Sequence, residues 1–237
     1  MGKLVVLDSG PIISLVLNNL LQFLEPLKER MGGEFVITPA VRAELIDRPI
    51  QGKRFEFEAL RVLRHIREGT LTFISSREAA EEAQKLLSIA NQIFQVKGQW
   101  MRIIHYAEME AIALAAIKNA EAVVVDERTT RMLIENPEGL EVRLSKKLHS
   151  KVNVNRHNLN EFKRRTRNVK VIRSVELMAV AYELGLLEKY MPENIPERKP
   201  EEVLLDAVLW GLKLNGCAIS ENEIHRIKQL LLPPKEQ

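Results

Sequence analysis

Five acids in this sequence have types and spacings that could do chemistry together: Asp8, Glu44, Glu108, Glu110 and Asp126. Asp8 closes the apolar run Val5-Val6-Leu7, and Asp126 closes Val123-Val124-Val125. Each run is short and uninterrupted, the pattern of a strand buried on both faces of a parallel sheet. Clefts in open α/β sheets lie just beyond the carboxyl ends of the strands. Two aspartates there would share one pocket, and like charges that close stay ionised only beside a compensating cation. Glu44 falls on the helix after the second strand, in Pro39-Ala-Val-Arg-Ala-Glu44-Leu-Ile-Asp47, and Glu108 and Glu110 open the helix leading to the strand of Asp126. A carboxylate cluster without Cys or His is a hard-oxygen site, suited to Mg²⁺ or Mn²⁺. Singly, each acid also fits an ordinary role: a turn at Asp8, a solvated helix face at Glu44, a first-turn charge at Glu108, a helix cap at Asp126. The case for one site rests on the set.

Periodicity supplies the elements that must position these acids. Strands are expected at Lys3–Asp8, Glu34–Ile37, Leu71–Ile74 (an edge), Ala122–Val125 and Val169–Ile172. Between them, helical spacing covers Ser9 to about Arg30, Pro39–Asp47 up to a break at Pro49, Arg54–Arg67, Arg77–Val96, Glu108–Lys118 and Glu127–Ile134. Glu141–Leu144 and Lys151–Val154 read as a basic hairpin, and Asn158–Arg165 as a short basic helix. Helices at Arg173–Leu187, Pro200–Leu214 and Ser220–Leu232 follow, the first separated from the others by a linker punctuated by Pro192, Pro196 and Pro200. Strands alternating with helices imply an α/β fold of three layers, a central parallel sheet with helices on both faces. Trp100 and Tyr106 read as core residues rather than as a base-stacking platform.

Composition narrows the class further. The hydrophobic fraction of 46% is that of a globular protein. A single Cys217 rules out a disulfide framework within the chain and a cysteine zinc site, and suits a reducing, cytoplasmic setting. No apolar stretch reaches the length of a membrane span, and the apolar start after Met1-Gly2-Lys3 is too short for a secretory leader, so no membrane partner is expected. Neither a dinucleotide glycine fingerprint nor a Walker lysine loop is present. An aspartyl phosphatase would carry a second Asp where Gly10 stands. The net charge is only +3, yet Arg143, Lys146, Lys147, Lys151, Arg156, Lys163, Arg164, Arg165, Arg167 and Lys170 fall in one stretch against a single acid, Glu161. A basic arm on an otherwise acidic body points to a polyanionic partner. His149 and His157 in that arm read as RNA-contacting or exposed rather than as metal ligands.

The acids and their surroundings resemble the PIN-domain ribonucleases. The motifs are Val-Val-Leu-Asp8-Ser-Gly-Pro-Ile-Ile, Ile-Thr-Pro-Ala-Val-Arg-Ala-Glu44-Leu, Ala-Glu108-Met-Glu110-Ala-Ile-Ala-Leu-Ala and Val-Val-Val-Asp126-Glu-Arg-Thr-Thr-Arg, in the family's order. The branch with a Gly-Glu-Ala-Glu-Ala-Ile type third motif, which includes relatives of VapC-type toxins, is the most similar. The resemblance implies a PIN-like catalytic domain over residues 1–136 and 169–190, a basic insertion over 137–168, and a helical extension over 191–237 packed on the domain. It implies Asp8, Glu44, Glu108 and Asp126 as catalytic, metal-binding acids. Glu110 joins them only if Glu108 precedes the first full helical turn, as in the paired motif of flap nucleases. Ser9 resembles the small hydroxyl residue beside the metal, and Arg128 a basic position that supports the site or pairs with Glu127 or Glu108. Ala107 and Gly10 depart from the pattern, as does the basic insertion, which is expected to be a surface arm dispensable for folding. The implied activity is a Mg²⁺- or Mn²⁺-dependent endoribonuclease of RNA processing or ribosome maturation, with the basic residues on RNA. A homodimer and a ribosomal or RNA-processing partner would suit it. A catalytically weak RNA-binding or assembly module, or a VapC-type toxin, are the alternatives.

Overall fold

Val6 and Leu7 have no exposed face, and the sheet that buries them is parallel throughout. The structure, a computed structural model, describes residues 2–193, 195–196 and 198–232. Its first half runs β1 (Lys3–Leu7), α1 (Ser9–Leu17), α2 (Leu24–Met31), β2 (Gly33–Ile37), α3 (Pro39–Arg42), α4 (Arg48–Gln51), α5 (Glu56–Arg67), β3 (Leu71–Phe73) and α6 (Arg77–Ala90). Then come β4 (Phe94–Val96), β5 (Gln99–Trp100), α7 (Tyr106–Lys118), β6 (Ala122–Val124), α8 (Arg128–Glu135), α9 (Pro137–Leu148), β7 (Asn153–Val154) and α10 (Arg156–Thr166). The chain closes with β8 (Val171–Ile172), α11 (Ser174–Glu183), α12 (Pro200–Leu214) and α13 (Glu221–Leu231). The five parallel strands lie in the order β3-β2-β1-β6-β8, so β1 and β6 are neighbours at the centre.

Two apolar cores, one on each face, make the three layers. One joins Leu7, Phe35 and Val124 to α1, α2, α11 and α12; the other joins Val6, Val36 and Val123 to α6 and α7. Among the described residues no helix is long and apolar enough to cross a membrane.

Several local expectations need correction. The first helix does not run to Arg30: Asn19 turns left-handed (φ 58°), and a 3₁₀ turn at Leu21–Phe23 leads into α2. Pro49 does not stop its helix. The chain passes through a π-helical turn at Ala43–Asp47, which accommodates a residue that has no N–H, and continues to Gln51. The helix of Arg77 ends at Ala90 rather than Val96, because Lys97 (φ 49°) and Gly98 (φ 81°) form a tight hairpin turn with two positive φ angles. That turn joins β4 to β5, leaving Trp100 exposed rather than in the core.

The proposed basic hairpin does not exist. Residues 137–148 are α9, whose N-terminus Asn136 caps by accepting from Gly139 N–H at 2.9 Å, and β7 pairs instead with β4. Nor is the basic segment a loose surface arm. Leu140, Leu144, Val152, Leu159 and Phe162 are buried in the same core as Val6 and Val123. Half of its cations are paired: Lys163 with Glu138, Arg164 with Glu161, Arg165 with Glu82 and Glu161, Arg156 with Glu141, and Lys170 with Glu121. Only one of these acids, Glu161, lies between Arg143 and Lys170.

Arg173, after β8, fastens the C-terminal helices. It is buried, bonds Glu176, and reaches Glu223 at the start of α13 at 2.7 Å. Burial pushes the Glu223 carboxyl up, but bonds from the Ser220 hydroxyl and N–H and from Arg173 outweigh it and hold it down at about 2. A carboxyl depressed in the fold stabilises above its unfolded value of 4.5, and that contribution is lost as pH falls toward 2. Glu223→Gln should therefore flatten the fall of Tm between pH 5 and pH 3; an unchanged slope would show the carboxylate to be idle.

Candidate active site

Asp8 follows β1 directly, and its N–H donates to Val124 O of β6 at 3.1 Å. Asp126 lies two residues beyond β6. Gly10 measures how near the two acids are: a Cβ built on it would meet Asp8 Oδ2 and Asp126 Cβ, both at 3.8 Å. That is ordinary contact, so the position would also admit a small side chain. Glu44 enters from the π-helical turn beyond β2, where its Oε2 accepts the Ser9 hydroxyl at 2.8 Å, with Arg48 at 3.7 Å from its other oxygen. Glu108 is buried in the first turn of α7. Its Oε2 accepts the N–H of the N-cap residue His105 at 2.9 Å and its Oε1 the Thr130 hydroxyl at 2.8 Å.

The cluster is electrostatically loaded. Burial pushes the Asp8 carboxyl up to about 7; the charges of Glu108 and Glu44 push the same way, and the Ser9 and Gly10 N–H groups only partly oppose them. Asp8 Oδ1 is buried with no hydrogen-bond partner. Burial also raises the Glu108 carboxyl, against the pull of His105 N–H and the Thr130 hydroxyl. Asp126 is held differently. Ser174, at the start of α11, donates its N–H to Oδ1 at 2.8 Å and its hydroxyl to Oδ2 at 2.7 Å. A helix N-terminus favours that negative charge. The neighbouring Cys217 thiol is pushed up to about 12, first by burial and then by Asp126, so it stays protonated.

Glu110 has a structural task. Its Oε2 accepts Ala40 N–H at 2.8 Å and its Oε1 the Tyr106 hydroxyl at 3.3 Å, which ties α7 to the first turn of α3. Arg128 pairs with neither Glu127 nor Glu108 among the described residues. It lines an open groove of about 590 Å³ between α8 and α9 with Arg143, Lys146, Lys147, Met132 and Val142.

Sequence reading missed Ser174 and Thr130, the hydroxyls that orient Asp126 and Glu108. Both are fully buried, which nothing in their local sequence signals.

The donor set fits a divalent cation in kind: hard oxygens, two carboxyls raised by burial, and one buried oxygen without a partner. As the side chains stand, no three acids, histidines or cysteines among the described residues close around one point. Asp126 is engaged by Ser174, Glu108 by Thr130 and His105, and Glu44 by Ser9 and Arg48.

A family model described as a PIN domain, DUF3368, matches residues 4–143, more than half of the chain and the whole of the acidic cluster. The chain belongs to the PIN-domain family, whose members are generally metal-dependent nucleases. No curated protein and no solved structure gives a match.

Proposed function

We propose that this PIN domain is an endoribonuclease that hydrolyses RNA phosphodiester bonds with Mg²⁺ or Mn²⁺ held by Asp8, Glu108, Asp126 and Glu44. The observation that carries the reading is Asp8 Oδ1, buried without a partner among like charges. When bound, the cation would polarise the scissile phosphate and neutralise its developing charge. The chain's own residues prepare the ground for it. Ser174 holds both Asp126 oxygens in place, Thr130 and His105 N–H orient Glu108, and the Ser9 hydroxyl bonds Glu44. Burial keeps the Asp8 carboxyl protonated up to near neutrality, and its unpartnered Oδ1 would be available to hold a cation.

Arg128, two residues past Asp126, begins the groove in which Arg143, Lys146 and Lys147 are unpaired among the described residues. Arg128, together with Arg143, Lys146, Lys147, Lys151 and Arg167 of the basic segment, is free to neutralise RNA phosphates. Phosphate contacts on single strands give a salt slope of about −0.7 per contact. Replacing Arg128, Arg143, Lys146 and Lys147 by Ala should weaken RNA binding and flatten the slope by about 2 to 3. Replacing the paired Arg164 and Arg165 should change it far less.

The rival reading, an RNA-binding or assembly module with a weak site, draws support from the engaged state of Asp126, Glu108 and Glu44. Incubation of defined RNAs with Mg²⁺ or Mn²⁺, against chelator, separates the two. Cleavage that needs the cation and is lost in Asp8→Asn supports the nuclease; binding without cleavage under either ion supports the module.

A further inference from the structure

The small antiparallel sheet carries an aromatic ring on its outer face. β4 pairs with β5 and with β7, so that Trp100, Gln95 and Asn153 stand side by side across three strands. Phe94 and Val154 face the other way, into the core. Trp100 is 45% exposed. Lys97 in the turn, Arg102 two residues beyond Trp100, and Lys151 two residues before Asn153 are all exposed, and none is ion-paired among the described residues. Residues 94–102 and 151–155 contain no acid. Single exposed aromatics are commonplace; this one is set among amide groups and unpaired cations.

The sheet is also tied through a short segment to the helix that carries Glu108. The Asn91 side chain accepts from Ile103 N–H at 2.9 Å and Ile104 N–H at 3.3 Å, fixing the segment that leads from Trp100 to His105, the N-cap of α7. Five residues of extended chain span at most ~18 Å, so the platform lies within that reach of the turn bearing Glu108.

We propose that Trp100 is a stacking platform for an unpaired nucleobase, and that Lys97, Arg102 and Lys151 hold the phosphates on either side of it. The inference rests on the nuclease reading above and narrows it to single-stranded substrate. An indole face binds any base whose own face is free, whereas a duplex keeps its bases stacked and offers backbone and groove. The amides of Gln95 and Asn153 supply donors and acceptors beside the ring.

The chain has two tryptophans, so Trp210→Phe leaves Trp100 as the sole indole fluorophore. In that full-length background, with chelator present to stop cleavage, the probes are a single-stranded oligoribonucleotide, a perfect RNA duplex of the same length, and anionic phospholipid vesicles. The single strand should quench the fluorescence, and the duplex and vesicles should not. Adding Trp100→Ala should weaken single-strand binding, followed by a label on the RNA, about five- to a hundred-fold, the effect of one lost stack. It should leave duplex binding and the circular dichroism spectrum unchanged, and Trp100→Phe should keep most of the affinity. Unchanged single-strand affinity in Trp100→Ala overturns the proposal, as does equal quenching by duplex or quenching by vesicles alone. Quenching and the Trp100→Ala loss without any cation-dependent cleavage would uphold the platform and remove the nuclease reading. Cleavage with a silent Trp100 would do the reverse.

Discussion

Asp8→Asn is expected to abolish cleavage and, in chelator at pH 8, to raise the thermal stability of the protein. The two effects have one origin. In the fold Asp8 titrates at about 7, against 3.8 for the ordinary carboxyl, because burial and the neighbouring charges disfavour its ionised form. The folded state therefore binds more protons than the unfolded chain between those values. Stability falls as pH rises from about 3.8 to about 7, and the penalty is complete above that. At 1.36 kcal/mol per pH unit, it amounts to about 2–4 kcal/mol at pH 8, with relaxation around the site at the lower end. Asparagine keeps the shape and removes the charge. At about 2–4 °C per kcal/mol for a chain of this size, Tm in chelator should rise by roughly 4–16 °C. The difference should shrink as pH is lowered from 7 to 4. Mg²⁺ or Mn²⁺ should stabilise the parent, by mass action on the folded state, and do little for the variant. A variant less stable than the parent in chelator at pH 8 would mean that Asp8 is not strained. A variant cleaving at the parental rate would remove Asp8 from the chemistry.

Asp8 was legible because it ends an apolar run that has no polar alternation, and the same signal placed Asp126 on the neighbouring strand. The parallel sheet followed from strands alternating with helices, and the order β3-β2-β1-β6-β8 puts both acids at its centre. The hydroxyls that orient the acids were not legible. Ser174 lies 48 residues from Asp126, and Thr130 lies 22 from Glu108. Neither pairing has a local signature, since it depends on where helix starts meet strand ends. The β4–β5 hairpin was missed because Gln92–Val96 continues a helical spacing. Lys97-Gly98 marks its turn only when Gly98 is read as the second of two positive-φ positions rather than as a helix stop. Charge misled in the basic segment. A count along the chain finds one acid there, while the fold brings Glu82, Glu121, Glu138 and Glu141 to its cations.

Phe162→Ala should destabilise the whole domain by about 3–5 kcal/mol, although it lies in the most basic helix of the chain. Phe162 is fully buried on α10, in the core that holds Val6 and Val123 of the central strands. Truncating a buried aromatic removes its transfer free energy and leaves a cavity that a close-packed interior only partly fills. The adjacent Lys163 is the control. Its ammonium meets Glu138 at 2.9 Å at the surface, and exposed, solvent-screened pairs of this kind contribute little to stability. Urea unfolding should therefore show a large fall in midpoint for Phe162→Ala and almost none for Lys163→Ala. The two variants separate the jobs within one helix: its apolar side holds the domain together, and its cations face outward. If Phe162→Ala unfolded at the parental midpoint while RNA affinity dropped, the segment would be a loosely attached arm and its packing against α6 and α7 would carry no stability.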